Sequence, residues 1–258
     1  MDTVLHTVLD TVLHTVIQAV GLTYRYPDGT AALKGIDLAV REGERVALLG
    51  PNGAGKSTFL MHLNGTLRGE GELLLDGLAP TKQNLKKIRG LVGLVFQDPD
   101  DQLFLTTVFD DVAFGPINQG LNEAEVAAHV KDALEVVDML WATSRSAHHL
   151  SFGEKKRVAL ATVLSMNPKI LVLDEPTSNL DPRARKRLET LILELGHTMI
   201  IATHNLDFAW RTCDRSVILS GGKIVADAPT RELLVDRELL EAHGLELPLS
   251  AELEGLRG

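Results

Sequence analysis

Short apolar runs of strand length alternate with segments of helical period along most of this chain. RVALLG at 45–50, GLVGLVFQ at 90–97, ILVLD at 170–174, MIIAT at 199–203 and SVILS at 216–220 are nearly unbroken apolar stretches. Runs of this kind mark strands covered on both faces, as in parallel sheets flanked by helices. IDLAV at 36–40 alternates apolar and polar positions, and ELLLDG at 72–77 reads as a strand closed by an Asp-Gly turn. A first strand is expected over 15–25. Between the runs lie helical patterns. One starts near Gly55 and places Phe59, Leu60 and Leu63 on one face; a basic one starts at about 182, and a third covers 206–211. Gly221-Gly222 turns the chain back into KIVA. The order predicts an α/β fold with a mainly parallel sheet.

The stretch from about 98 to 165 changes character. Asn122 and Glu125 have capping-box spacing, and Val126, Val130, Leu134, Val137 and Trp141 recur at helical intervals. This reads as a helical insertion. The tail from 230 is helical with loops, with Asp236 as a cap, Gly244 as a stop and Pro248 as its end. Residues 3–18 carry a four-residue repeat, TVLH-TVLD-TVLH-TVIQ, whose last copy runs into the first strand. His6 and His14 of that repeat lack a third ligand and make a weak metal site.

Composition narrows the classes. With 258 residues and 45% apolar composition, the chain suffices for one sizeable core and a small subdomain. Its net charge of −9 argues against general nucleic-acid binding. A single cysteine, Cys213, rules out a disulfide within the chain. No run approaches the length of a membrane-spanning helix, and the N-terminus does not read as a signal peptide.

The chemistry concentrates after the apolar runs. Gly50-Pro51-Asn52-Gly53-Ala54-Gly55-Lys56-Ser57-Thr58 fits a phosphate-cradling loop between a strand and a helix. Gly53 and Gly55 permit a tight backbone path, so successive N–H groups and the helix start face an anion. Lys56 supplies charge for β- and γ-phosphates, and the Ser57 hydroxyl suits Mg²⁺. Asp174 and Glu175 close the ILVLD strand at an edge where α/β sheets bind ligands. Asp174 is the candidate for Mg²⁺ and Glu175 for activating water. His204 ends the MIIAT strand, where it can contact a γ-phosphate. Gln97 ends the GLVGLVF strand, where it can join the metal shell. Leu150-Ser151-Phe152-Gly153-Glu154 has capping-box spacing and opens a helix, which is itself an anion site.

Together these residues resemble the ATP-binding-cassette ATPases over about 15–235. The resemblance implies a P-loop NTPase (RecA-like) core, an N-terminal antiparallel β subdomain and a helical subdomain at about 98–165. Residues 1–14 are then an extension, and 236–258 a C-terminal helical one. It implies Tyr26 as the aromatic that stacks on adenine, with Tyr24 as the alternative. It implies two cassettes paired head to tail. Ser151, Phe152, Gly153 and Glu154 then serve the partner's ATP, and Asp181 communicates across the interface. Phe152 stands where the common signature has glycine, and Glu154 where it has glutamine, so Phe152 must point away from the nucleotide. YRYPDGTAALKGIDL at 24–38, VFQDPDDQLF at 95–104, VFDDVAFGPINQGL at 108–121 and LLEAHGLELP at 239–248 are similar to energy-coupling-factor importers, most of all the ATPase of cobalt uptake systems. Nickel and vitamin systems share much of this pattern. The cofactor implied is Mg²⁺ with ATP. The partners implied are a second ATPase subunit, a transmembrane coupling subunit and a substrate-binding membrane subunit, with the chain peripheral on the cytoplasmic face and binding no nucleic acid. A non-transport cassette of DNA repair or translation is disfavoured, because the Gln97–Ser151 stretch is too short for a coiled-coil arm. A phosphoryl-transfer kinase shares only the phosphate loop.

Overall fold

The computed structural model describes residues 14–255. Strands β1 (Thr15–Arg25), β2 (Ala31–Arg41) and β3 (Arg45–Leu49) precede helix α1 (Lys56–Leu63), then β4 (Glu70–Leu75). Helix α2 (Leu85–Leu91) leads directly into β5 (Val92–Val95). Helices α3 (Val108–Gln119), α4 (Glu123–Val136) and α5 (Phe152–Leu164) follow. Strand and helix then alternate through β6 (Ile170–Asp174), α6 (Pro182–Glu194), β7 (Thr198–Ala202), α7 (Leu206–Thr212) and β8 (Arg215–Ser220). The hairpin strand β9 (Lys223–Pro229) leads to three short helices, α8 (Thr230–Leu233), α9 (Arg237–Ala242) and α10 (Leu249–Gly255).

Two sheets organise these elements. A three-stranded antiparallel sheet has the order β2-β1-β4, and a six-stranded sheet the order β5-β6-β7-β3-β8-β9. Every pair in the larger sheet is parallel except β8 with β9. The unbroken apolar runs have a direct cause. Along β6, Ile170 and Val172 enter the core shared with the antiparallel sheet and α1, while Leu171 and Leu173 enter the core shared with the helical segments. Strands β3 and β7 divide their side chains the same way, so neither face is left for polar residues. Each Val, Leu, Ile or Met side chain among them contributes about 2 kcal/mol by leaving water.

The helical segment packs against the second core. Val126, Val130, Leu134 and Val137 are all buried, and Asn122 and Glu125 form the full capping box. Trp141 departs from the expected pattern. Helix α4 ends at Val136, Asp138 takes a left-handed φ of 55°, and Trp141 lies half-exposed in a short 3-10 turn beneath Arg145.

Two other boundaries differ from expectation. Gly90 and Leu91 belong to α2, so strand β5 is only four residues long and stops two residues short of Gln97. The tail does not end at Pro248. That proline precedes helix α10 instead, because its missing N–H costs nothing at a helix start. Leu240, Leu245 and Ala251 of this tail are buried in the second core. His6 lies outside the described residues; His14 is exposed and bonded to Asp76 at 2.7 Å, beside Lys169 on the same carboxylate at 2.9 Å. Among the described residues no cluster of three metal-ligating side chains and no membrane-length apolar helix occurs.

Candidate functional site

Strand order brings the sequence candidates to one edge. Past the C-terminal ends of neighbours β5, β6, β7 and β3 come Gln97, Asp174–Glu175, His204 and the glycine loop respectively, with Asp174 the last residue of β6 itself. All four strands run parallel, so their C-terminal ends share one rim of the sheet.

The loop from Gly50 to Gly55 is built for close backbone approach. Gly50, Gly53 and Gly55 have φ of 142°, 77° and 107°. A Cβ on Gly50 would lie 2.0 Å from the Leu219 carbonyl oxygen, so this position tolerates no side chain. Pro51 and Asn52 form the outer part of the loop, and buried Ala54 anchors it by accepting a 3.1 Å bond from the Gly222 N–H. Lys56 is 7% exposed and folds back, its Nζ donating to the carbonyls of Gly50 (2.7 Å) and Pro51 (3.2 Å). Burial lowers its pKa, against the opposing pull of Glu175 and Asp174. The ammonium is thus held by main-chain carbonyls beside a cradle of N–H groups, an arrangement that attracts phosphate.

Asp174 ends β6 with one carboxylate oxygen buried and without a hydrogen-bond partner. Burial raises its pKa, and a hydrogen bond from Ser57 opposes the rise. A desolvated carboxylate with a free oxygen, next to a hydroxyl, is a hard oxygen donor set that fits Mg²⁺.

Glu175 is 6% exposed, and its carboxylate is held from β7. His204 Nδ1 lies 2.9 Å from Oε1, and the Thr203 hydroxyl donates to Oε2 at 3.3 Å. His204 is 64% exposed, so it reaches the carboxylate from the solvent side. The Glu175 main chain is unusual. Five non-glycine residues among those described have positive φ, and the other four are Asp or Asn. Glu175, at φ 44°, lacks the short side chain that eases this conformation, which costs roughly 1 kcal/mol or more.

Ser151 caps α5 with the complete reciprocal box. Its hydroxyl accepts from the Glu154 N–H at 3.4 Å, while Glu154 Oε2 accepts from the Ser151 N–H (2.8 Å) and hydroxyl (2.7 Å). The Ser151 side-chain and main-chain bonds hold the Glu154 carboxyl below its usual range. Gly153 allows close packing: a Cβ there would lie 3.1 Å from Ala184 Cβ. Phe152 is half-buried and packs on the second core, with its ring 5.6 Å from Lys156 Nζ. Asp181 caps α6, accepting from the N–H groups of Arg183 (2.8 Å) and Ala184 (3.0 Å).

The remaining candidates are less engaged. Tyr26 is half-buried, and its hydroxyl bonds Thr58 Oγ1 at 2.9 Å; Tyr24 instead packs edge-on against His62 and Tyr26. Gln97 is exposed in the bend after β5. The residue that ties this bend down is Gln102. It accepts from the Phe96 N–H (3.1 Å) and donates to the Ala159 carbonyl (2.8 Å) and Thr162 hydroxyl (2.7 Å) of α5.

Sequence reasoning missed Gln102, Thr203 and Lys156. Lys156 lies in α5, is 3% exposed, and donates to the Glu175 carbonyl at 2.8 Å and to Ser178 Oγ at 3.2 Å. Burial pushes its pKa down to about 8, against the pull of Glu175, Asp174 and Asp98. In the sequence Lys156 is hidden within the charged run Glu154-Lys155-Lys156-Arg157, and its partner, a main-chain carbonyl, leaves no mark.

A parallel sheet whose strand ends assemble a phosphate cradle, a carboxylate pair and a histidine defines a nucleotide-hydrolysing ATPase cassette. The ABC transporter family profile matches residues 33–178. An ABC transporter ATP-binding protein of Streptomyces coelicolor is 53% identical over 92% of each chain. An energy-coupling factor transporter ATP-binding protein of Methanothermobacter thermautotrophicus is 49% identical over 90% of this chain and 76% of its own. Among solved structures, CbiO1 of Clostridium perfringens, described as part of the ABC transporter complex CbiONQ, superposes with a TM-score of 0.79. Its identity is 39% over 94% of this chain and 99% of that one. The cassette MJ0796, solved as a dimer with ADP and Pi, gives 0.76 at 28% identity over 83% and 98%. The chain belongs to the ABC transporter family, as an ATP-hydrolysing subunit of the energy-coupling-factor type.

Proposed function

We propose that this ATPase powers uptake of a transition-metal ion, Co²⁺ above others, through separate membrane subunits. The observation that carries the proposal is the likeness to CbiO1 along 94% of the chain, together with the importer-like segments at 24–38, 95–104, 108–121 and 239–248. In this reading the chain is peripheral on the cytoplasmic face. It pairs with a second ATPase subunit, for which a second copy of this chain is sufficient, and docks on a transmembrane coupling subunit and a substrate-binding one.

Tyr26 stacks on adenine, and the Gly50–Thr58 loop with Lys56 takes the phosphates. Ser57, Asp174 and Gln97 would hold Mg²⁺, which neutralises phosphate charge when bound. Glu175 orients the attacking water and takes its proton; His204 contacts the γ-phosphate and keeps Glu175 in place. Ser151 and the Gly153 N–H serve the ATP of the partner cassette, with Asp181 at the same interface. Closure of the pair completes both sites and so couples hydrolysis to motion.

The first test is Glu175→Gln. The variant is expected to bind ATP and dimerise while hydrolysing at least about 100-fold more slowly, a loss typical of a missing general base. Wild-type turnover would remove Glu175 from the mechanism. Metal accumulation by cells carrying the chain with its membrane subunits tests the substrate. Co²⁺ uptake that vanishes with Glu175→Gln is expected; uptake of Ni²⁺ alone, or of neither ion, overturns the cobalt reading.

A further inference from the structure

The left-handed backbone of Glu175 needs a restraint, and the structure supplies three. Its N–H donates to the Ala202 carbonyl at 2.9 Å, which fixes one side of the turn to β7. Its carbonyl accepts from Ser178 Oγ at 2.9 Å and from the Ser178 N–H at 3.1 Å, both within the same loop. The third restraint comes from elsewhere in the fold: Lys156 Nζ donates to that carbonyl at 2.8 Å and to Ser178 Oγ at 3.2 Å. A charged donor shared between the turn's carbonyl and the hydroxyl that closes it holds the loop more strongly than either neutral bond.

The origin of that donor matters. Lys156 sits in α5, five residues after Ser151 and three after Gly153, in the first turns of the helix that the Ser151–Glu154 box caps. The Phe152 ring covers the ammonium on one side. The charged groups facing it are Glu175 and Asp174 from the end of β6 and Asp98 from the bend after β5. Lys156 is 3% exposed, so its ammonium is held by the Glu175 carbonyl and Ser178 Oγ among these carboxylates. A shift of α5 therefore pulls directly on the Glu175 main chain.

We infer that Lys156 is a positioning residue for hydrolysis: it links the helix of the Ser151 element to the backbone of Glu175, and so sets where the Glu175 carboxylate sits. The inference rests on Glu175 being the base, and it adds a route by which the element facing one nucleotide acts on the carboxylate that serves another. Lys156 itself touches no reacting atom.

The test compares Lys156→Met with Lys156→Arg and Lys156→Gln, which keep a donor, measuring kcat and KM for ATP in the full-length protein. Lys156→Met is expected to lose about tenfold or more in kcat with KM changed less than about threefold, the signature of a lost transition-state arrangement. At least one donor-keeping variant is expected to recover most of the rate. Fluorescent-nucleotide binding by Lys156→Met guards against misfolding: ATP affinity should stay near wild type. Wild-type kcat in Lys156→Met overturns the inference. Equal losses in all three variants, or loss of ATP binding along with turnover, assign Lys156 to packing alone and overturn it as well. Glu175→Gln, assayed in parallel, separates the two ideas: if it turns over normally, the base assignment fails, whereas if only Lys156→Met behaves as wild type, the positioning role fails.

Discussion

His62 shows how much a single side chain in the helix behind the phosphate loop costs. It is 1% exposed; its Nδ1 donates to the Thr58 carbonyl at 2.7 Å, and its Nε2 has no partner. Burial lowers its pKa from 6.5, and half-buried His197 is lowered for the same reason. The folded protein therefore keeps these imidazoles neutral at a pH where the unfolded chain protonates them. Their contribution to stability is complete above pH 6.5 and is lost as the pH falls below that value. Urea midpoints should drop between about pH 7.5 and about pH 5.5, and the drop should shrink in His62→Gln, which has no proton to gain. An identical pH dependence in the variant would show that His62 titrates as it does in the unfolded chain. Legibility at this scale divides by partner type. The placement of Lys56, Asp174 and Glu175 on the sheet rim was readable because an apolar strand run precedes each of them. Lys156 and Gln102 were not, since each is defined by a main-chain carbonyl that no sequence pattern marks.

At the level of elements, period-2 burial on both faces made β3, β6 and β7 readable as apolar runs, and the capping boxes at Asn122 and Ser151 fixed two helix starts. The failures came where two elements abut without a turn. Helix α2 passes into β5 with no glycine stop or proline between them, and the apolar run at 90–97 hides the change of period. Strand β5 also contains a close approach of sheet to helix. A Cβ on Gly93 would fall 2.0 Å from Val163 Cγ1 and 3.3 Å from Pro168 Cγ. Val163 is β-branched and stiff in a helix, so it cannot swing aside. Gly93→Ala should therefore cost about 1–3 kcal/mol through overpacking. Gly115 in α3 is the control: its added Cβ would meet Met166 at 2.4 Å, but the thioether chain is flexible. Gly115→Ala should cost far less, because the gain of about 1 kcal/mol in helix propensity offsets the repacking. Urea denaturation of the two variants checks the contrast; equal losses would contradict this account of the β5–α5 contact.

On the scale of the whole molecule, the candidate residues fall in two places. The phosphate loop, Asp174, Glu175 and His204 share the rim of the large sheet, while Ser151 and Gly153 belong to the capped helix of another segment, where Gly153 packs against Ala184 of α6. In the head-to-tail pair proposed above, each ATP takes Glu175 from one subunit and Ser151 from the other. Two inactive variants then decide the matter. Glu175→Gln removes the base. Ser151→Asp keeps a good helix cap but places a carboxylate against phosphate, so it folds and repels. Mixing the two before adding ATP gives mixed dimers in which one site has both residues intact and the other has neither. The mixture should hydrolyse ATP although neither parent does, reaching up to about a quarter of the wild-type rate if subunits pair at random and sites act independently. If Ser151 instead served the ATP of its own subunit, every site in a mixed dimer would lack one residue, and the mixture would stay at the parental background.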